Sequence, residues 1–321
     1  MANVADAAAP KVVLGHDVDS GSEPNSTSPA VGSTAGQEEE DEGKPAIAQK
    51  VYGIAKGDEE GKVNLHIPEM VWFHKFKDTS TATIRKVLEL KDAQRGKRFL
   101  HITVSKKFRP ITKLSGRTFL SAWWHIVVCH YALWGRNVYH CDISPNNLMV
   151  YKTSDSRYIG VLIDFDFSLS PSGQERMGTV FFMAVRLLKK DAIEGKVQHL
   201  YQHDAESFLW VFTWVCLRYE GGRLLRKGRP LDEWLKFDAL RCHNEKTGFL
   251  TTHRHDMIPS QSHKKNWDIA MACLRIVNMS YTDDPLRTLE NKDAFEKWLE
   301  TSVRSKLPPS LLNVTVRLES K

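Results

Sequence analysis

Two stretches of this chain are too apolar to lie on any surface. "FLSAWWHIVVCHYALW" runs from 119 to 134 and "HDAESFLWVFTWVCLRY" from 203 to 219. Residues 117 to 134 and 203 to 219 read as helices that are apolar on nearly every side, and such helices belong inside a core. Gly135 follows the first as its C-terminal stop. The first run spans only 16 residues and contains Ser121, His125 and His130. That falls short of a membrane span of about 20 residues. Two central helices need a large body of chain around them, and 321 residues provide one large domain or two modest ones.

Composition is that of an ordinary globular chain, 41% apolar and 26% charged. The net charge of +6 comes from scattered basic residues with no Lys/Arg block, so no nucleic-acid partner is expected. The start, "MANVADAAAPKVVLG", lacks a basic segment and a long apolar core. No secretory signal is expected from it, and the expected setting is intracellular, cytoplasmic or nuclear, with no membrane contact. Five cysteines (129, 141, 216, 242 and 273) form no CxxC pair. A reduced thiol set is expected rather than a disulfide framework or a zinc site.

The rest of the chain arranges itself around the two helices. Residues 16 to 44 are rich in Gly, Ser, Thr, Asp and Glu, with "EEEDE" at 38 to 42, and residues 1 to 44 read as a disordered arm. "PAIAQKVYGIAKG" reads as a short helix ended by Gly57. "HIPEMVWF" at 66 to 73 and "RFLHITVS" at 98 to 105 read as strands, and "KDTSTATIRKVLEL" between them has helical spacing at Ile84, Val87, Leu88 and Leu90. "NNLMVY" and "IGVLIDFDF" read as a hairpin turned by "KTSDSR". Helical patches recur at 266 to 279 and 291 to 304, before "LPPSLL" stops the last one. The expected fold class is α+β. Its divisions are a small, truncated, strand-bearing part over 45 to 110, a larger mainly helical part over 111 to 306, and a tail over 307 to 321.

Between the central helices stands "YHCDISPNNLMVYKTSDSRYIGVLIDFDFS". Phosphoryl transfer needs a carboxylate to orient the attacking hydroxyl and oxygen ligands to hold magnesium against the phosphates. The pattern H-x-D-x-x-x-x-N supplies an aspartate and a carboxamide on one loop, and a D-F-x turn after the following strand supplies a second carboxylate. Here these are His140, Asp142 and Asn147, then Asp164, Phe165 and Asp166. His140 is read as a packed histidine that shapes the loop. Asp166 stands where many kinases carry glycine and is read as a loop cap or an aid to the metal.

The pattern fits both small-molecule kinases of the aminoglycoside or choline type and protein kinases. "MGTVFFMA" at 177 to 184 resembles the peptide-docking segment of protein kinases, and "HDAESFLWVF" resembles their central helix. With "ITKLSGRTFLSAWWHIVVCHYALW", "VYHCDISPNNLMVY" and "GVLIDFDFS", these segments resemble the fungal-type protein kinase family over roughly residues 45 to 220. The resemblance implies a two-lobed protein-kinase-like fold and transfer of phosphate from ATP to Ser or Thr of a protein. It implies that Asp142 orients the substrate hydroxyl and that Asn147 and Asp164 bind Mg2+. Thr179 would face the incoming peptide, and Asp204 would tie down the catalytic loop's backbone, with Phe165 in structural support.

The chain departs from that pattern in several places. Cys141 replaces the arginine that pairs with a phosphorylated activation loop, and a thiol cannot make that bidentate contact. No activation through phosphorylation of the short loop after Asp166 is therefore expected. Ser144 stands where many Ser/Thr kinases have lysine. Arg186 occupies a glutamate position, which is expected to remove an ion pair. If the strands at 66 to 73 and 98 to 105 are the fourth and fifth of an N-lobe, residues 45 to 65 are too few for what should precede them. No G-x-G-x-x-G occurs, and the candidates for the strand lysine are "GIAKG" at 53 to 57 and "KVVLG" at 11 to 15. Nucleotide-binding residues thus stay unassigned. Three readings remain open: a protein kinase, a kinase-shaped binding module without transfer, and a small-molecule kinase.

Overall fold

The computed structural model describes residues 11–18, 46–89, 98–165, 179–284, 286, 288–304 and 306–307. Both apolar stretches are helices. We call them α3 (Gly116–Trp134) and α5 (Tyr201–Arg218). Every residue of α5 is buried, and so are 13 of the 19 in α3. The two helices meet through aromatic side chains. Trp123 lies 4.7 Å from Phe212 between ring centroids, and its Nε1 donates to the Phe208 carbonyl at 3.3 Å.

By internal contacts the chain divides into two units, residues 1–53 with 68–107 and residues 54–67 with 108–321. The first holds a three-stranded antiparallel sheet of β1 (Lys11–Val18), β2 (Met70–Ser80) and β3 (Arg98–Ser105), in the order β1-β3-β2. β3 occupies the expected span. β1 corrects the expectation of disorder at 11–18: it pairs with β3 from Lys11↔Ser105 to Val18↔Arg98. The remainder of that arm lies outside the described residues. β2 starts later than expected, because Pro68 cannot donate to a ladder, and Asn64–His66 is instead a short 3₁₀ turn. β2 then continues to Ser80, whose hydroxyl caps helix α2 (Thr81–Val87) by accepting the Thr83 N–H at 3.1 Å. Trp72, His74 and Phe76 alternate along β2, with Trp72 stacked on His74 at 5.7 Å and Phe76 edge-on to His74 at 4.7 Å.

Helix α1 (Ala46–Lys56) ends where Gly57 was expected to end it. Its last residues from Ile54 and the stretch to Ile67 belong to the larger unit, so the chain crosses between the units after Gly53, Ile67 and Lys107 rather than at one boundary near 110. Asp58 accepts the Val63 and Asn64 N–H groups at 2.6 and 3.0 Å, and His66 Nδ1 bonds to Gly160 O at 2.8 Å.

The larger unit is mainly helical. Its sheet is β4 (Arg109–Pro110), β5 (Leu148–Lys152) and β6 (Tyr158–Leu162), antiparallel in chain order. Gly160 lets β6 lie directly on α3: a Cβ there would sit 2.0 Å from the Ala122 carbonyl oxygen. α3 ends with Gly135 in right-handed geometry, and the left-handed residue of the turn is Asn137, with φ 59°. Short α4 (Lys190–Ile193) precedes α5; after it, Phe249 of α6 (Ala239–Thr251) meets Trp210 of α5, and α7 (Lys264–Asp283) packs along α5. A last helical stretch passes from Asn291–Asp293 through the π-helical Ala294–Glu300 to Thr301–Arg304. The mixture of helix and sheet, with helix dominant, agrees with the α+β class. Among the described residues no helix is long and apolar enough to cross a membrane.

Candidate active site

The loop after α3 carries the first group of expected residues. His140 is buried, with Nε2 donating to Ile163 O at 2.9 Å and Nδ1 accepting the Asp142 N–H at 3.3 Å. Those two contacts use the neutral ring, and burial lowers the histidine pKa to match. His140 thus ties the loop to the end of β6, where Phe165 is buried with its ring 5.4 Å away, edge-on.

Asp142 is where three of the expected residues meet. Asn147 Nδ2 donates to the Asp142 backbone oxygen at 2.9 Å and to its Oδ2 at 3.2 Å. Thr179 donates to Oδ1 twice, from its N–H at 2.8 Å and its hydroxyl at 3.1 Å. One carboxylate oxygen is thus held by the loop and the other by the start of the "TVFFMA" segment.

Asn147 and Asp164 are brought to one end of a hairpin. Leu148 pairs with Leu162, and Ile163 N–H donates to Asn147 O at 3.0 Å. Asp164 follows immediately in left-handed backbone geometry, φ 66°, and so does Cys141 at φ 63°. Such geometry is uncommon outside glycine and collects at functional sites. Asp166 and the loop before Thr179 lie outside the described residues.

Asp204, on α5, accepts the Cys141 N–H on Oδ2 at 3.1 Å. The same oxygen accepts from His130 Nε2 at 2.9 Å, and Oδ1 accepts from His199 Nε2 at 2.7 Å. Burial by itself would raise this carboxyl. The His199 charge and the hydrogen bonds from both histidines outweigh it and hold Asp204 well below the usual range. Burial likewise opposes the His199 imidazolium, but Asp204 pushes its pKa up to about 10. Sequence reasoning missed both histidines as partners. The signal for His130 was a polar ring in an otherwise apolar helix, whereas His199 gave none.

Glu206 holds the next segment from the same helix. Its Oε1 accepts from Val185 N–H at 2.9 Å and Trp210 Nε1 at 2.8 Å, and Oε2 accepts from the Tyr281 hydroxyl at 2.6 Å. Arg186, expected to leave an ion pair unmade, makes one of its own: its guanidinium is bidentate on Asp191, at 2.8 and 2.6 Å. Of the two strand-lysine candidates, Lys56 lies in the last turn of a helix and is excluded from that role. Lys11 opens β1.

An aspartate that holds a threonine hydroxyl, an asparagine five residues on and a second aspartate at the hairpin end thus lie in one region of the larger unit. The model of a family described as fungal protein kinase matches residues 22–216, and the chain belongs to that family. No curated protein matches the chain.

Proposed function

We propose that this chain transfers phosphate from ATP to a serine or threonine hydroxyl of a protein, its two units being the lobes of a protein-kinase-like fold. The observation that carries this reading is the Asp142–Thr179 contact. The carboxylate already holds a threonine hydroxyl at 3.1 Å, the group type a substrate would present. An incoming hydroxyl would take the place of Thr179 on Oδ1, while Asn147 keeps Oδ2 oriented. Asp142 then accepts the proton as the oxygen attacks. The segment beginning at Thr179 favours a peptide over a small molecule.

Magnesium fits the donors present. Asn147 turns its amide N–H₂ to Asp142, which leaves its carbonyl oxygen, and Asp164 adds a carboxylate. Hard oxygens of this kind are what magnesium takes. When bound, the ion neutralises charge on the phosphate oxygens.

A second reading, a kinase-shaped binding module, draws on the helical position of Lys56, which leaves Lys11 as the remaining lysine candidate. Magnesium-dependent phosphorylation of a generic protein substrate by the purified chain separates the two. Transfer is expected, and Asp142→Asn lowers its rate by about 100-fold or more. Absence of both ATP binding at millimolar concentration and transfer would overturn the kinase reading and leave the module. Equal transfer by Asp164→Ala would remove its metal role.

A further inference from the structure

Cys141 is the residue of the loop that phosphoryl transfer leaves without a task. Its thiol sulfur and the donor atoms of His199 and Asp204 all lie within 4.8 Å of one another. We propose that Cys141, His199 and Asp204 form a zinc site, with one thiolate, one imidazole and one carboxylate as ligands.

The donor set is of the kind zinc takes, and three protein ligands leave a fourth position for water. A tetrahedral ion with ligands about 2.0–2.3 Å away spaces them about 3.3–3.7 Å apart. His199 Nε2 and Asp204 Oδ1 stand 2.7 Å apart, closer than that, and no two of the three donor atoms are more than 4.8 Å apart. Shifts of about an ångström or less bring the three onto one ion.

Three further features support a site rather than a chance cluster. The left-handed backbone at Cys141, φ 63°, is held by its N–H bond to Asp204, so the thiol is aimed by the carboxylate that would share the ion. Buried His130 donates to Asp204 Oδ2, the outer partner that ligating carboxylates usually have. Cys141 and His199 are only partly buried, whereas the other four cysteines are buried.

In the metal-free protein His199 Nε2 donates its proton to Asp204 Oδ1 at 2.7 Å, and the thiol carries its own proton at neutral pH. Zinc replaces both protons, which are released to solvent as the bonds to nitrogen and sulfur form. The ion then fixes the residue next to Asp142.

The test is titration of the reduced, metal-free full-length chain with cobalt(II), followed by displacement with zinc. A thiolate-to-cobalt charge-transfer band is expected to saturate at one ion per chain and to disappear as zinc enters. Cys141→Ser removes the band, and Cys242→Ser leaves it. His199→Gln can still donate an amide hydrogen to Asp204, which preserves the loop, and weakens binding by more than about 100-fold. Absence of the band in the parent chain overturns the site, as does its persistence in Cys141→Ser. Both results are read without reference to phosphate transfer.

Discussion

Asp204 and Glu206 stand two residues apart on α5, each 1% exposed, yet their carboxyl groups are driven in opposite directions. Asp204 falls well below its usual range, and Glu206 rises above its own. Burial is the largest influence on both and raises both. What differs is the cation. Asp204 touches His199 directly, at 2.7 Å. Glu206 is bonded by neutral N–H and O–H groups. The nearest cation, Lys246, donates instead to the Met183 carbonyl and stands 4.3 Å above the Trp210 ring. The two residues also anchor different segments. Asp204 fixes the loop with Asp142, and Glu206 fixes Val185 in the segment that starts at Thr179. The loop that carries Asp142 therefore hangs on an ion pair, and the segment that starts at Thr179 hangs on a hydrogen-bond network.

Removing the charges should separate the two anchors. Asp204→Asn keeps a carbonyl oxygen for Cys141 but leaves the partly buried His199 imidazolium beside a neutral amide. Breaking a buried ion pair in this way is expected to cost about 3–5 kcal/mol in denaturant unfolding. Glu206→Gln keeps one oxygen for Val185 and Trp210 and loses one acceptor for Tyr281, whose hydroxyl can rotate to accept instead. Its expected cost is about 1–2 kcal/mol. Equal losses in the two variants would break the comparison.

Much of this arrangement was legible in the sequence. α3 and α5 were readable because an all-round apolar helix has only one place to go. The β5–β6 hairpin was readable because "KTSDSR" is polar between apolar runs. That Asp142, Asn147 and Asp164 share one end of the larger unit followed from spacing along that hairpin. Partners that meet only through the fold were not legible. β1 was hidden because Gly15, His16 and Asp17 break its apolar pattern, and its pairing with β3 is remote in sequence. His199 reaches Asp204 across the turn that begins α5, and nothing local marks it. The Arg186 partner, Asp191, faces it only after the chain bends at Lys189 and Lys190 into α4.

Titration of Lys246 sharpens the comparison at the Glu206 anchor. Burial lowers its pKa to about 8, with Cys242 and Glu206 opposing the shift. The unfolded chain has the higher lysine pKa, so it binds more protons between pH 8 and roughly 10.4. Stability contributed by this site therefore rises with pH across that window. Other groups titrate there too, so the useful quantity is the difference in Tm between the parent and Lys246→Met. That difference is expected to grow in favour of the parent by a few degrees from pH 8 to pH 10. A flat difference would mean that the buried ammonium is not strained.

The smallest expected effect tests whether Arg186 helps to hold the segment that starts at Thr179. Its guanidinium is bidentate on Asp191, a geometry that favours a strong pair, and the contact holds Asp191 down to about 2. Asp191 is 45% exposed, however, while the arginine is 14% exposed, so water and salt screen the attraction from one side. Exposed pairs of this kind contribute about 0.2–1 kcal/mol. The segment has a second anchor that does not involve Arg186, the Val185 N–H bond to buried Glu206. Arg186→Ala is therefore expected to cost no more than about 1 kcal/mol and to lose part of that cost as salt rises. A loss as large as that of Glu206→Gln would place the arginine, and not the buried glutamate, at the centre of this segment's attachment.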